Sequence, residues 1–289
     1  MSATSLTWDG RSIPGPGGLP AVAVSLTGPS LADVRTQARS AIGAGADVLE
    51  LRVDLLEEAG ALAAPAPLDA ATAAAQVLEC LRGLREAIDT TDGADAGSPV
   101  LLTCRTAAEG GRAQLDDTAY GSLLRSVLDG LADWAPERRP AAIDVEVQRG
   151  CLPQVSEQAH GLGIDVVASF HDFKTTPADD VLEDVLSRMA SEGADLAKIA
   201  VWPTSADDVA RLLGVCARAT AGAGERGGLG VPVAAMSMGA LGAVSRVAPA
   251  FGSALTFAVV PDEQGQARAS APGQLPIQDV RRCLELLRA

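Results

Sequence analysis

Residues 195–202 read Asp-Leu-Ala-Lys-Ile-Ala-Val-Trp, and the reading of the whole chain turns on this stretch. It is a short apolar run, β-branched at Ile199 and Val201, with Glu192-Gly193 before it and Pro203 after it. That pattern predicts a buried strand. Alternation puts Leu196, Lys198 and Ala200 on one face and Ala197, Ile199 and Val201 on the other. Lys198 is one of only two lysines in 289 residues, the other being Lys174. Burying an ammonium is costly, so a lysine kept here is either paired with a carboxylate or used for chemistry. A desolvated amine loses its proton more readily and becomes a nucleophile, a role arginine cannot take.

Seven more apolar stretches flank this one, at 21–26, 47–54, 99–104, 141–147, 164–170, 231–238 and 253–260. Helical patterns separate them, among them 31–42, 70–84, 117–131, a helix carrying Arg246, and 277–287. Strands alternating with helices indicate parallel βαβ units. Eight strands in a chain of this length predict an α/β fold of the (β/α)8 TIM-barrel type. Residues 4–19 read as a small hairpin around Asp9-Gly10 followed by a linker, so residues 1–289 are expected to form a single domain.

In such a barrel the polar residues at the C-terminal strand ends meet in one pocket. Glu50 and Arg52 alternate on the second strand, Asp144 and Glu146 on the fourth, and Lys198 lies on the sixth. Arg105, Glu109, His171 and Arg246 lie just beyond strand ends. A barrel interior offers these charges no solvent face. His171 is one of two histidines and ends the strand before the lysine strand, where an imidazole suits general acid–base work. His160, in a polar helical stretch, is read as a surface residue. A lysine, an imidazole and several arginines together point to a Schiff base with a carboxylated ketone, the imine acting as electron sink.

The net charge of −14, without a basic cluster, argues against nucleic acid and anionic membranes as partners. Aromatics make up only 3%, so an aliphatic core is expected. Five scattered cysteines without a Cys-x-x-Cys pair fit reduced thiols and no zinc site. No metal or cofactor is expected. The N-terminus has no signal-peptide pattern and no run approaches the ~18 apolar residues of a membrane span, so a cytoplasmic location is expected.

Motifs along nearly the whole chain resemble type I 3-dehydroquinate dehydratase, a Schiff-base family of the shikimate pathway. They are Leu49-Glu-Leu-Arg-Val-Asp54, Cys104-Arg-Thr-Ala-Ala-Glu-Gly-Gly111, Asp144-Val-Glu146, Ser169-Phe-His-Asp-Phe173, Ala197-Lys-Ile-Ala200, Met236-Ser-Met-Gly239, Ser245-Arg246, Phe251-Gly-Ser-Ala254 and Ala269-Ser-Ala-Pro-Gly-Gln274, in the family's order. The resemblance implies that Lys198 forms the imine, that His171 is general base and acid, and that Glu109 orients its ring. Ser25, Glu50, Arg52, Arg105, Arg246, Ser270 and Gln274 match the substrate-binding positions, with Arg246 holding the carboxylate. It further implies 3-dehydroquinate as substrate and a homodimer. The chain departs from the family at Ala240-Leu241, where a lysine is usual, and in a long segment at 86–98. The same chemistry would also serve a class I aldolase or transaldolase. The 261–276 loop is expected to act as a lid over the site.

Overall fold

The structure is a computed structural model that describes residues 4–63, 69–91, 97–221, 228–261 and 268–288. A two-stranded antiparallel hairpin, β1 (Leu6–Trp8) and β2 (Arg11–Ile13), precedes an eight-stranded parallel sheet. The barrel strands are β3 (Ala21–Leu26), β4 (Val48–Arg52), β5 (Val100–Thr103), β6 (Ala142–Glu146), β7 (Asp165–Asp172), β8 (Leu196–Val201), β9 (Val233–Ser237) and β10 (Leu255–Ala258). Each pairs with the next in sequence, and β10 pairs back with β3. Between β9 and β10 the amide of Ala254 donates to the Val233 carbonyl (2.7 Å), so the ring is nearly closed. This is the TIM barrel that strand count and length predict.

The helices α1 (Leu31–Gly43), α2 (Ala70–Asp89), α3 (Asp117–Leu131), α4 (Leu152–Gly161), α5 (Asp179–Ser191), α6 (Ala206–Ala219) and α7 (Ile277–Leu286) lie outside. Their amphipathic stripes explain the double-layered core. In β8, Ala197, Ile199 and Val201 join the large cluster that includes Leu186 of α5 and Leu212 of α6. Leu196 and Ala200 join a second cluster inside the barrel, with Val48, Leu101, Val167 and Leu255. Alternation therefore aims Lys198 inward.

The N-terminal hairpin belongs to that inner cluster through Trp8 and Ile13. Trp8 Nε1 donates to Asp165 Oδ2 at 2.8 Å, satisfying the one polar atom of the indole. Burying an aliphatic side chain such as Ile13 contributes roughly 1.5–3 kcal/mol. The hairpin thus plugs the N-terminal end of the barrel, where no polar residue is needed.

Two expectations are corrected. The segment after β9 forms no α-helix but two 3-10 turns, Ala243–Val247 and Pro249–Phe251. Gly239 at φ 71° and Pro249 leave too few residues for a helix. The Ser245 hydroxyl, bonded to the Gly242 carbonyl (2.7 Å) and the Ser237 amide (2.9 Å), further competes with helical bonding. Asp54 does not continue β4 either: the strand stops at Arg52, and a 3-10 turn over Val53–Leu55 swings the carboxylate back onto it. Residues 92–96 and 262–267, parts of the long segment and the lid loop singled out in the sequence, lie outside the described residues.

Candidate active site

Lys198 stands in the middle of β8, buried, at the C-terminal end of the barrel interior. Its Nζ is 3.1 Å from Asp144 Oδ2 and 3.5 Å from Glu50 Oε1, with the Phe257 ring centroid 4.7 Å away. Both alternatives left open by the sequence are present in one residue: the lysine is paired, and it faces a pocket. Glu50 is held by the hydroxyls of Ser25 and of Thr103, the latter at 3.0 Å. Asp144 accepts from Arg105 Nη2 and from the Ser169 hydroxyl, both at 2.7 Å. Arg105 and Lys198 hold the Asp144 carboxyl below its ordinary range, outweighing the opposing effect of burial.

Arg105 is shared among three buried carboxylates: Asp144, Glu146 at 3.0 Å and Glu109 at 3.5 Å. Burial works against its charge, but the three anions dominate and raise its pKa well above the ordinary value. Arg52 makes a bidentate pair with Asp54, both bonds 2.8 Å. Asp54 also accepts from the amides of Arg105 (3.2 Å) and Arg112 (3.1 Å), so it clamps the loop that carries Glu109.

His171 ends β7, next to Lys198's strand, with Nδ1 2.8 Å from Glu109 Oε2. Burial pushes Glu109 up to about 8 and His171 well below its ordinary value, the latter helped by Arg105, Lys198 and Arg52. Burial thus disfavours the charge on each partner, while Arg105 favours the carboxylate form of Glu109 that can accept from His171 Nδ1. Gly110, which follows Glu109 at φ 82°, leaves room for Phe173; a Cβ there would lie 2.4 Å from that ring. The Phe173 ring in turn stacks on His171 with centroids 6.4 Å apart.

The opposite wall is different. Arg246, from the turn after β9, is almost wholly buried, yet among the described residues no carboxylate contacts it. Its Nη atoms reach only the carbonyls of Phe257 (3.4 Å) and Pro272 (3.1 Å), and Nε has no partner. Desolvation without a counter-charge lowers its pKa to about 10. Ser270 and Gln274 come from the loop before α7: the Ser270 hydroxyl donates to Ser25 at 2.8 Å, and Gln274 Nε2 to Ser270 at 3.0 Å.

A pocket lies between these two walls. Lys198, His171, Glu109, Glu50, Arg52, Arg105, Arg246, Ser270 and Gln274 all line it, whereas Ser25, Asp144 and Glu146 stand behind its surface. Met236, Met238, Phe257 and Phe173 supply its apolar faces, which sequence reasoning left unassigned. Leu241 is exposed and outside the pocket. His160 is exposed and bonded to Asp195 (2.8 Å). Among the described residues no cluster of His, Cys, Asp and Glu has the makings of a metal site, and no helix is long and apolar enough to cross a membrane.

A (β/α)8 barrel whose strand ends present a buried lysine, a histidine–carboxylate pair and several arginines to one pocket has the features of a barrel enzyme. The comparisons name the group. A family model described as type I 3-dehydroquinase matches residues 22–289, and the chain belongs to that family of dehydratases. A curated relative from Klebsiella pneumoniae, 3-dehydroquinate dehydratase, is 35% identical over 270 residues, covering 92% of each chain. The crystal structure of 3-dehydroquinate dehydratase from Geobacillus kaustophilus superposes with a TM-score of 0.78 at 29% identity, over 98% of this chain and 96% of that one. A type I enzyme from Clostridium difficile, solved with covalently modified comenic acid, gives 0.78 at 28% identity, over 98% and 97%.

Proposed function

We propose that the chain dehydrates 3-dehydroquinate to 3-dehydroshikimate through an imine on Lys198, with His171 moving the protons. The observation that carries this reading is a buried, pocket-facing lysine one strand away from a histidine–glutamate pair. The C. difficile relative's covalently modified ligand also supports chemistry through a covalent adduct.

The Lys198 ammonium first gives up a proton, which returns to the oxygen that leaves as water when the imine forms. The amine adds to the substrate ketone, and loss of water leaves a protonated imine. His171 Nε2, its ring aimed by Glu109 at Nδ1, takes a proton from the carbon beside the imine and leaves an enamine. The same imidazolium returns a proton to the departing tertiary hydroxyl, which leaves as water. A second water hydrolyses the conjugated imine, so one net water is released and the lysine regenerated. Arg246, which meets no carboxylate among the described residues, is the partner for the substrate carboxylate. Glu50, Arg52, Arg105, Ser270 and Gln274 offer hydrogen bonds to the hydroxyls, with Ser25 behind them holding Glu50 and Ser270, and closure of the loop bearing Ser270 keeps bulk water out. No cofactor enters this scheme. The same reading takes residues 1–289 as a single barrel domain that works as a homodimer in the cytoplasm.

The experiment is a trap. Borohydride added with substrate or product should inactivate the enzyme and add one ligand mass to the peptide bearing Lys198. A label on Lys174, or no covalent adduct, refutes the imine. Retro-aldol products from a sugar phosphate would instead indicate the aldolase type of barrel chemistry.

A further inference from the structure

Behind the pocket wall lies an arginine that neither the motifs nor the scheme above employ. Arg149 sits in the 3-10 turn Val147–Arg149, immediately after β6. Its Nε donates to Glu146 Oε2 (3.0 Å), its Nη2 to Thr106 Oγ1 (2.9 Å), and its Nη1 to Asp117 Oδ1 (2.7 Å) at the start of α3. Glu146 is fully buried and has its other oxygen on Arg105 Nη1 (3.0 Å) and the Thr106 amide (2.8 Å). Thr106 also donates its hydroxyl to Glu146 Oε2 (2.6 Å) and precedes the turn Ala107–Glu109, whose Glu109 amide returns to the Thr106 carbonyl (3.0 Å).

The charge balance gives this network its meaning. One guanidinium, Arg105, faces three buried carboxylates, and Glu109 is the most distant of them at 3.5 Å. Without a second cation, Glu146 would draw on Arg105 alone and leave less of that charge for Glu109. We propose that Arg149 is a positioning residue for proton transfer: it supplies the second cation to Glu146 and, through Thr106, fixes the turn that aims Glu109 at His171. This inference rests on the reading of His171 and Glu109 as the proton-transfer pair.

The charged groups facing that pair are Arg52 at the end of β4, Arg105 after β5, Asp144 and Glu146 on β6, Arg149 beyond it, and Lys198 on β8. Arg149 favours the deprotonated Glu109 that accepts from His171 Nδ1 and leaves Nε2 free to act as base. Removing its charge holds the proton on the pair to higher pH, so the acid limb of kcat/KM moves upward.

The test is the pH profile of kcat/KM for Arg149→Met, Arg149→Gln and Arg149→Lys beside the parent. The Met and Gln variants should move the acid limb up by about 0.5–1 pH unit, a ~3–10-fold loss on the acid side. The Lys variant should restore the limb, and all three should still form the borohydride-trapped adduct. Limbs that coincide with the parent, or equal losses in all three at every pH, would show a merely structural role and overturn the inference. If the Met variant does not fold, the Gln and Lys variants decide in the same way. His171→Ala separates the two levels of the reading. Parent-like turnover there removes the pair and this inference with it. A collapse of turnover with an unmoved limb in the Arg149 series overturns the inference alone.

Discussion

Arg105 and Arg246 are two buried guanidiniums on opposite sides of one pocket, and they differ in almost everything except location. Arg105 meets three carboxylates and a serine hydroxyl; Arg246 meets two backbone carbonyls at 3.1 and 3.4 Å, with Nε unpartnered. Burial raises the cost of both charges, but only Arg105 has its cost offset within the protein. The same contrast runs through the walls that hold them. The β4–β8 wall is a closed set of ion pairs that places Lys198 and His171, whereas the β9–β10 wall presents a charge with no carboxylate partner among the described residues. The paired cation chiefly holds its wall together, and the one without a carboxylate among the described residues is free to take up a ligand's charge.

Replacing Arg105 by Met should cause the largest loss of stability, because it leaves three buried carboxylates short of a cation. Breaking a buried pair in this way costs about 3–5 kcal/mol, read as a fall in the denaturation midpoint. A variant as stable as the parent would mean that the carboxylates take up protons at little cost, and the contrast between the walls would lose its basis.

Arg246→Met should do the reverse. It removes a charge with no carboxylate partner among the described residues, so stability should hold or rise, while kcat/KM for the carboxylated substrate should fall by about 10²–10³-fold, as for the loss of a buried charge partner in a complex. Arg246→Lys should recover part of that loss, since a point charge lacks the bidentate fork. An unchanged kcat/KM in the Met variant would remove the assignment of Arg246 to the substrate carboxylate.

A smaller effect should appear in the pH dependence of stability. Glu109 is raised in the folded state to about 8 from its ordinary 4.5, so the folded protein holds that proton more tightly than the unfolded chain. Its favourable contribution is present below about 4.5 and is lost as pH rises towards about 8. Glu109→Gln, which cannot ionise, should therefore gain stability relative to the parent across that window by about 1–2 kcal/mol, less than the full shift would give because His171 Nδ1 partly compensates. His171, lowered in the fold, contributes in the opposite sense and weakens the protein as pH falls through its ordinary value, but it does so in both proteins. A flat difference curve between the two would show that the pair keeps a constant charge from pH 4.5 to 8.

Much of the barrel was legible because strands announce their starts as well as their faces. Gly45-Ala46-Asp47 and Gly193-Ala194-Asp195 are the same device, each with its glycine at positive φ. Asp47 Oδ2 accepts from the Val22 amide at 2.8 Å and Asp195 Oδ2 from the Val166 amide at 2.7 Å, each pinning its strand to the preceding one. Three residues on stand Glu50 and Lys198, which the shared register brings to one level, 3.5 Å apart. This repeat was present in the sequence and was a signal that the reading of strand faces alone passed over. The turn after β9 was not legible, because a short stretch between Gly239 and Pro249 has helical composition whether or not the chain has room for a helix.

What the sequence determined by itself was therefore the period of two along each strand, the count of eight, and the residue types delivered to the C-terminal strand ends. Those follow from local chemistry: side-chain alternation, apolar runs and turn residues act over a few neighbours. Only the tertiary structure decided which charges meet. Lys198 and Asp144 are 54 positions apart and Arg149 and Asp117 are 32 apart, yet each pair closes within hydrogen-bond distance, while Arg246, almost wholly buried, meets no carboxylate among the described residues. Pairing depends on distances across the barrel, set by sheet register and helix packing, and no pattern along one strand carries that information.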